Sequence, residues 1–599
     1  MHKILTQVET SSKGLVPIIA ASTVGTLIEW YDFFIFGSLA TIISTEFFPK
    51  ENPAAAFLAT LATFSAGLVV RPLGAVVFGQ MGDRIGRKYT FMITLLLMGG
   101  STIAIGLVPT YESIGFMAPV IVLILRLLQG LAIGGEYGGA ATYVAEHSPV
   151  RQRGFWTSWI QATSGIAFVL SITVILAIRS LMTNAAWESW GWRLPFLGSI
   201  FLVVISVYMR RKMSESPLFI QAKAEGKTST NPLKESLGEK SNFKIVLLAF
   251  FGLTIGGGTI GWVGFYAQSF MLRTMLLDYS QANLVIISGI SLGVPFFFLF
   301  GWLSDRIGRK YMLLMGMVLG IVCFRPIFSG MYQITNLQNK QEITAALKVD
   351  RNSQTLHPEM TLSTTTTQHL YSDGARSTEV MRETNTSGKL NSELVKSITL
   401  SKSGMWKLIG YVFLLQFIFT VTFAPLAAFI VELFPLKIRY TSISIPYHFG
   451  YGIFGGLSPY FASYFVEKAQ LAGKTDFYLA GLTYPMVLMC VSLLIGLLYL
   501  KENERYFTLS ILPRSTKNLI KRSLGFVWIG LGWVVAWFGI FEMGLPKIMS
   551  GRQEDIVFGI IMMLIITPVA AIGLYFFGKY ALQGEYDNPL NTDEIPEQG

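Results

Sequence analysis

The sequence predicts an all-α polytopic membrane protein with two related six-helix bundles and two additional transmembrane helices. The 599 residues are 52% hydrophobic and only 14% charged, whereas soluble domains carry roughly 25% charged residues. Apolar runs of about 20 residues or more recur along the chain, long enough to cross a bilayer as helices. They are continuous rather than alternating, which favours helices over a β-barrel. A short charged motif that occurs twice indicates two related halves.

The repeated motif reads GQMGDRIGRK at 79–88 and GWLSDRIGRK at 301–310, and we call these two stretches the signature loops. Each lies between two apolar segments, so each connects two predicted spans. Glycines allow a tight turn and close helix approach. The basic residues hold the loop on the cytoplasmic side, and the aspartate gives them a partner where an unpaired charge is costly.

Apolar runs and the polar stretches between them divide the chain in order. The predicted parts are a cytoplasmic N-terminus, a first six-helix bundle, a cytoplasmic linker, a second six-helix bundle, a basic cytoplasmic connector, two additional transmembrane helices and a cytoplasmic tail, at 1–14, 15–209, 210–242, 243–500, 501–523, 524–582 and 583–599. The twelve spans of the bundles are predicted near 15–43, 53–81, 90–109, 115–145, 155–181, 192–208, 243–271, 282–303, 311–331, 405–434, 441–466 and 477–500. What the two additional helices contact is not predicted.

A second repeat locates an insertion. The pattern E-x-x-P-x-basic-x-Arg follows the fourth span at 146–153 and the tenth span at 432–439. These copies are 64 residues further apart than the two signature loops, so about 64 residues are inserted between the second loop and the second copy. The stretch 332–403, rich in Ser, Thr, Asn and Gln, is the predicted insertion. It is extracytoplasmic by span count, and it is either loosely ordered or a small appended element.

Composition also excludes several classes of partner. The net charge of +11 comes from basic residues in alternate short loops, which is the positive-inside bias and not a nucleic-acid-binding surface. The two cysteines, Cys323 and Cys490, lie in apolar segments and predict neither a disulfide framework nor a metal site. We therefore expect a lipid bilayer and a small-molecule solute as partners, with no nucleic acid, no metal and no cofactor.

The two halves, the basic linker and the doubled loop together resemble the major facilitator superfamily. The first span contains GTLIEWYDFF at 25–34, which is similar to the first-span signature of the metabolite:H+ symporter family. Further matches are RPLG at 71–74, RLLQG at 126–130, GGEYGG at 134–139 and WGWRLPF at 190–196. The resemblance implies proton-driven symport of small solutes such as proline, betaine, shikimate, 2-oxoglutarate or citrate, and the first-span wording is nearest to the shikimate-like branch. The insertion and the two extra helices depart from this twelve-span pattern.

Two carboxylates in the first span are candidates for proton coupling. Glu29 and Asp32 are three residues apart, so they share one helix face. Ionisable groups deep in a span are costly, which makes each a functional hypothesis. Repulsion and burial allow at least one of them to exchange a proton near neutral pH. The alternative is that one of them pairs with a neighbouring arginine.

Two arginines and a third acid complete the amino-terminal candidates. Arg71 and Arg126 lie within the second and fourth spans. Each can pair with a buried carboxylate, or bind a substrate carboxylate through its guanidinium fork. Glu136 and Tyr137 lie in GGEYGG, whose glycines allow close helix packing, and Glu136 is the second candidate proton site. A phosphate-binding loop is excluded because the segment is in mid-span.

The carboxy-terminal half has less buried charge. Its polar and aromatic candidates are Trp262, Tyr266, Gln268, Gln416, Tyr447 and His448. His448 can titrate near neutral pH, or it is a hydrogen-bonding residue of its span. The aromatic residues either pack within the bundle or form a substrate cage.

The signature loops are predicted to form a gate. Asp83 and Asp305 pair with basic residues on the cytoplasmic face, holding the halves together in the outward-open state and releasing them in the inward-open state. The predicted gate consists of Gly79, Asp83, Arg84, Gly86, Arg87, Arg153, Gly301, Asp305, Arg306, Gly308, Arg309 and Arg439. In the alternative, the basic residues act only as topology anchors.

These features predict a secondary active transporter in the cell membrane of a prokaryote and not an enzyme, since no metal-spaced cluster or nucleophile–base motif is visible. The expected reaction is proton-coupled symport of a small polar metabolite, an organic acid, by alternating access, with protons as the coupling ion. Two alternatives remain open. One is a proline or betaine osmolyte symporter, and the other is a transporter-like membrane sensor.

Overall fold

The structure is a computed structural model that describes residues 12–49, 53–212, 215–343, 347–357, 360–386, 389–501, 513–550, 556 and 559–587. Most of the predicted N-terminal segment, residues 502–512 of the basic connector and most of the C-terminal tail therefore lie outside the described residues.

The amino-terminal half is helical, as predicted. Its helices are α1 (Ser12–Ser38), α2 (Ala40–Phe47), α3 (Pro53–Val69), α4 (Arg71–Arg84), α5 (Arg87–Leu107), α6 (Tyr111–Ile114), α7 (Met117–His147), α8 (Arg153–Ser180), α9 (Asn184–Ser189) and α10 (Leu194–Arg211). The first signature loop is a sharp break between α4 and α5 at Gly86, which has φ +130°. Only glycine adopts this conformation without strain, which explains the glycine there.

The linker and the carboxy-terminal half follow. The linker holds two short helices, α11 (Pro217–Ala224) and α12 (Pro232–Gly238). The second bundle contains α13 (Lys240–Ala249), α14 (Ile255–Ser269), α15 (Tyr279–Gly293), α16 (Pro295–Ile307), α17 (Arg309–Thr335), α18 (Lys402–Phe423), α19 (Leu426–Leu433), α20 (Arg439–Tyr447), α21 (Ser458–Leu471) and α22 (Thr483–Tyr499). Gly308, with φ +116°, makes the break at the second signature loop.

Across the described residues, twelve helical runs are long and apolar enough to cross a membrane, including 515–549 and 559–582 near the C-terminus. The predicted spans 53–81 and 441–466 are not among them because each is divided. The first is interrupted at Val70, just before Pro72 of α4. The second is interrupted by a turn at Gly456 and Leu457, between the π-helical segment His448–Gly455 and α21.

The two bundles meet through symmetric helix pairs. The amino-terminal α8 packs against α16, and α4 packs against α20. Both signature loops lie at one end of this interface, which we call the basic side. The central part of the interface is where α1, α4, α7 and α20 converge.

The insertion is an ordered appended element. It forms a four-stranded antiparallel sheet in the order β1 (Lys348–His357), β2 (Met360–Leu370), β3 (Arg376–Thr386) and β4 (Lys389–Thr399). Four consecutive threonines at 364–367 suit a strand, because β-branched side chains pack well on a pleated surface. The Ile398 N–H donates to the Leu276 carbonyl at 2.7 Å, which joins β4 to the loop after α14. Of the two alternatives predicted for the insertion, the described strands therefore agree with the small appended element. The all-α description holds for the membrane part.

The last helices form a separate hairpin on the carboxy-terminal half. Its two arms contain α23 (Arg514–Trp537), α24 (Leu545–Met549) and α25 (Thr567–Leu582). The arms approach closely because Gly525 faces the Gly578 carbonyl without a side chain between them. Phe576 and Phe577 of α25 contact Phe243 and Phe251 of the bundle.

Candidate functional site

A small cavity lies between the two halves. Its lining comes from α1, α4 and α7 on one side and from α20 and the π-helical segment on the other. The residues that line it are Thr26, Glu29, Trp30, Arg71, Ile133, Glu136, Tyr137, Tyr447 and His448. The structure thus brings six of the twelve predicted central residues into one place. Thr26, Trp30 and Ile133 were missed, because uncharged side chains in an apolar span give no sequence signal.

Two carboxylates of the cavity share one guanidinium. Arg210, in the last turn of α10, binds Glu136, and its Nη2 lies 3.8 Å from Glu29 Oε1. Thr94 Oγ1 donates a 3.0 Å hydrogen bond to Glu136, and the Phe91 carbonyl accepts from Arg210. The Arg210 side chain is only 1% exposed, so this charge cluster is shielded from solvent. The prediction that placed Arg210 in the solvated linker is wrong.

Arg71 is the cation of the cavity that has no carboxylate partner among the described residues. Its Cζ lies 4.4 Å from the centre of the Phe33 ring and 5.4 Å from that of Trp30. Its Nε and Nη2 atoms are buried and have no hydrogen-bond partner in the described part of the chain. Cation–π contacts hold the guanidinium in place but leave its donor edge available. It can therefore bind an anion in the cavity.

Asp32 and Arg126 lie outside the cavity lining. Asp32 Oδ1 accepts a 2.6 Å hydrogen bond from Ser199 of α10. Glu29 also faces α10, so the two carboxylates share one face of α1, as their spacing predicted. Arg126 donates to Gln129 at 2.6 Å, and its guanidinium lies over the rings of three phenylalanines, Phe33, Phe36 and Phe64. Within the described residues, neither Arg71 nor Arg126 pairs with the predicted acids.

The carboxy-terminal half contributes an aromatic wall. Tyr447 stacks on Tyr137 of the other half, with ring centres 3.5 Å apart and planes at 8°. On its other face, Tyr447 stacks on Tyr451 at 5.2 Å. His448 is 1% exposed, and both of its ring nitrogens lack a hydrogen-bond partner among the described residues.

The other carboxy-terminal candidates lie elsewhere. Trp262 Nε1 donates to the Tyr451 carbonyl at 3.0 Å, behind the cavity wall. Tyr266 stacks on Phe328, and Gln268 donates to Asn283 at 3.1 Å. Gln416 packs against Gly293 and does not line the cavity. Trp262 and Tyr266 thus pack within the bundle, which is one of the two alternatives predicted for the aromatic residues.

The Asp83 carboxylate joins the halves on the basic side. It accepts hydrogen bonds from the backbone N–H groups of Tyr440 and Thr441 at 3.2 and 2.9 Å, and from Thr441 Oγ1 at 2.8 Å. These donors are the first turn of α20, whose N–H groups have no partner within the helix. A carboxylate there also interacts favourably with the helix dipole. Arg87 lies 3.6 Å from the same carboxylate.

The Asp305 carboxylate makes the symmetric contact. It accepts hydrogen bonds from the backbone N–H groups of Gly154 and Phe155, both at 2.8 Å, at the start of α8. Arg309 pairs with it at 2.7 Å. Each signature aspartate therefore caps a helix of the opposite half, which the sequence repeat alone could not reveal.

Two glutamates extend this network. Glu146 lies 3.4 Å from Arg87 and 3.3 Å from Arg439, and is 7% exposed. Glu432 lies 3.3 Å from Arg153 and also pairs with Arg309. Both belong to the E-x-x-P repeat, but they were not among the predicted gate residues.

Two predicted gate residues are placed differently. Arg84 and Arg306 are exposed at the basic side, and neither forms an ion pair within the described residues. Arg306 lies over the Trp302 ring at 3.7 Å. Two gate glycines allow the halves to approach each other closely, because Gly79 lies against Thr441 and Gly301 lies against Gly154.

Aromatic packing closes the interface on the side away from the signature loops. Phe265 of α14 stacks on Phe34 of α1 at 5.4 Å and contacts Phe168 of α8 at 5.2 Å. The cavity is thus covered by ion pairs on one side and by aromatic rings on the other, which corresponds to an occluded arrangement.

Comparisons with known proteins agree with this architecture. Residues 18–246 match the family described as sugar (and other) transporter, and residues 517–588 match a family of unknown function (DUF6814). The inner membrane metabolite transport protein YhjE of Escherichia coli (strain K12) is 30% identical over 466 residues, which cover 78% of this chain and 91% of that protein. The shikimate transporter of the same strain is 34% identical over 52% of this chain and 71% of its own length.

One further relative and one solved structure extend the comparison. The proline/betaine transporter of Escherichia coli (strain K12) is 37% identical over 52% of this chain, but the match spans only 63% of that transporter. The solved structure of the proton:xylose symporter XylE bound to 6-bromo-6-deoxy-D-glucose has a TM-score of 0.59 at 16% identity, covering 83% of this chain and 98% of that one. From the two capped signature loops, the divided helices around one cavity and these relatives, it follows that the chain belongs to the major facilitator superfamily of membrane transporters.

Proposed function

We propose that the protein is a secondary active transporter that moves a small carboxylate solute together with protons by alternating access. The observation that carries the proposal is the juxtaposition of a shared acid pair, Glu29 and Glu136 on Arg210, with the carboxylate-free Arg71 in one cavity. The relatives named above include shikimate and proline/betaine transporters, whose solutes all carry a carboxylate.

Charge balance links the proton to the solute. With both acids ionised, Glu29, Glu136 and Arg210 carry a net negative charge that offsets Arg71. Uptake of a proton by one acid leaves the positive charge of Arg71 uncompensated, which favours a bound carboxylate in this low-dielectric site. Binding free energies are reciprocal, so the bound solute in turn favours the proton. Such reciprocity is what symport requires.

The capped signature loops supply the conformational step. The Asp83 and Asp305 contacts cross the interface, so they must break when the basic side opens. Basic residues concentrated in these loops support a cytoplasmic position for this side and for the N-terminus in a prokaryotic cell membrane. Rocking of the two halves around the central cavity then exposes the solute to each side in turn.

The test uses reconstituted full-length protein with Glu29→Gln, Glu136→Gln and Asp32→Asn. Uptake driven by a pH gradient is compared with solute exchange at equal pH. We expect Glu29→Gln and Glu136→Gln to lose gradient-driven accumulation while exchange continues, because exchange needs no net proton movement. Asp32→Asn should keep gradient-driven uptake, since Asp32 lies outside the cavity lining. Full accumulation by both glutamine variants would overturn the assignment of the coupling site.

An osmolyte symporter is the second candidate, and the aromatic wall favours it. Tyr447, Tyr137 and Trp30 face a common space, and aromatic faces bind quaternary ammonium groups. Activation of uptake by hyperosmotic medium, with glycine betaine as the preferred solute, would select this candidate. Solute binding without any flux would instead indicate a sensor.

A further inference from the structure

Unpartnered polar atoms of both halves converge on the central cavity. They are Arg71 Nε and Nη2, Tyr447 Oη, and His448 Nδ1 and Nε2, none of which has a hydrogen-bond partner among the described residues. Buried polar groups are nearly always hydrogen-bonded, and leaving one unsatisfied is costly. Three such residues lining one cavity therefore indicate a polar ligand that completes their hydrogen bonds.

Arg71 and His448 offer different chemistry. The guanidinium of Arg71 is a donor only and presents a planar fork suited to a carboxylate. A neutral imidazole has one donor and one acceptor nitrogen. His448 therefore needs a group that can both donate and accept, such as a hydroxyl, or a donor N–H. A trimethylammonium group can do neither.

The local fold holds this second group in place. Tyr447 is fixed between the parallel rings of Tyr137 and Tyr451, and the His448 ring lies perpendicular to it at 5.1 Å. Directly before them, the Pro446 carbonyl accepts a 2.7 Å hydrogen bond from Thr254. The hydroxyl of Tyr447 and the imidazole of His448 thus occupy defined positions opposite the amino-terminal half.

We propose that Tyr447 and His448 form a specificity subsite of the proposed transporter, which requires a hydroxyl or N–H group on a small carboxylate whose carboxyl group binds Arg71. This inference rests on the proposed function for the identity of the carboxylate site. Because Arg71 belongs to α4 and His448 follows α20, such a solute bridges the two halves.

Matched pairs of probes test the subsite. Shikimate is compared with cyclohex-1-ene-1-carboxylate, and proline with N,N-dimethylproline, by equilibrium binding to the purified full-length protein without a pH gradient. We expect the probe with hydroxyl or N–H groups to bind about tenfold or more tightly than its partner in at least one pair, because a site built to hydrogen-bond rejects an analogue that leaves it unpaired.

Substitutions then separate the role of His448 in specificity from the role of Arg71 in binding the carboxylate. His448→Leu should reduce the preference within the pair to about threefold or less, whereas His448→Gln, which retains a donor and an acceptor, should keep most of it. Arg71→Gln should weaken both probes of a pair alike. His147→Leu is the matched control, since His147 is a buried histidine bonded to the Tyr143 carbonyl outside the cavity. Monodisperse elution of each variant shows that it is folded.

The outcomes distinguish this inference from the proposed function. Equal or tighter binding of the probes that lack hydroxyl and N–H groups, or an unchanged preference in His448→Leu, would overturn the subsite. Proton-driven uptake of a fully methylated solute would leave the transport function standing and remove the subsite. A clear preference within a probe pair, with no proton-driven flux, would leave the subsite standing and remove the proposed transport function.

Discussion

The guanidinium of Arg210 binds the Glu136 carboxylate and lies 3.8 Å from that of Glu29. A single cation at the end of α10 therefore serves acids on α1 and α7. All three side chains are at most 3% exposed. In such an environment each charge depends on the other two, because removing one partner leaves the rest buried and uncompensated.

Replacing Arg210 by Gln is expected to abolish gradient-driven uptake and to lower the thermal stability of the protein. Breaking a buried ion pair costs about 3–5 kcal/mol, which is a large part of the stability of a typical domain. Uptake in proteoliposomes and melting in detergent measure the two effects. Arg211→Gln is the matched control, because the next residue is exposed and should tolerate the change. Normal uptake by Arg210→Gln would show that the acids do not need this cation.

The sequence could not identify Arg210 as part of the site. It begins the run Arg210-Arg211-Lys212, and such runs at the end of a span usually anchor it on the cytoplasmic side. Whether one arginine of the run points into the bundle depends on the rotation of α10 about its axis, which a charge pattern does not fix. Glu29 and Glu136 were found because an acid in an apolar run is visible without knowing its neighbours.

The repeat explains why the fold was easier to predict than the contacts. Two copies of one loop define two halves, and the apolar runs define their helices. The caps made by Asp83 and Asp305 cross between halves, so they arise only when the copies are placed around a common axis. The sequence did not predict the inserted sheet, because its polar, Thr-rich strands lack a strongly apolar face, which is the usual signal for a strand.

Asp83→Asn is expected to open the basic side. The amide keeps the shape of the side chain but loses the charge that the first turn of α20 binds. Hydrogen bonds to charged groups contribute about 1.5–3 kcal/mol each, so losing their charge shifts the populations of the closed and open states by tenfold or more. Spin labels at Tyr89 and Ile307, which are 65% and 48% exposed on the two halves, should report longer distances in the variant.

Arg84→Gln is the matched control for this experiment, because Arg84 belongs to the same loop but is exposed. The labels require prior replacement of the free cysteines, Cys323 and Cys490. Identical distance distributions for Asp83→Asn and the unsubstituted protein would mean that the cap contributes no closing free energy.

Gly82→Ala should weaken closure by sterics rather than by charge. A Cβ at Gly82 would overlap the ring of Tyr440 from the opposite half, and the Tyr440 side chain is fully buried. The halves can accommodate the methyl group only by separating, so we expect the same increase in label distance and a lower transport rate. Gly100→Ala adds the same group where nothing lies within 4 Å, and it should behave as the unsubstituted protein. Unaltered transport by Gly82→Ala would contradict tight closure at this point.

The C-terminal hairpin matches its own sequence family at 517–588. Ion pairs, hydrogen bonds and aromatic packing hold it on the bundle. One of the ion pairs is an exposed contact of 2.7 Å between Lys240 and Glu585, and the aromatic packing buries Phe577 against Phe251 and Tyr499. Exposed ion pairs contribute about 0–1 kcal/mol, whereas truncating a buried phenylalanine costs about 3–5 kcal/mol. The aromatic contact therefore contributes more of the free energy that holds the hairpin on the bundle than the ion pair does.

A protease site inserted between residues 501 and 513 of the full-length chain tests this ranking. After cleavage, we expect the hairpin of the unsubstituted protein to stay bound through size-exclusion chromatography. It should remain bound in Glu585→Gln and dissociate in Phe577→Ala. Lys579→Gln is the control, because this residue is exposed on the same hairpin.

The ion pair also predicts how binding of the hairpin depends on pH. The hydrogen bond from Lys240 holds the pKa of Glu585 below its usual value. This ionic contribution is therefore present at neutral pH and is lost only when the pH falls through that lowered value. Binding should consequently be constant from about pH 5 to 8. Release of the hairpin by Glu585→Gln, or retention of it by Phe577→Ala, would reverse the assignment of which contact holds it.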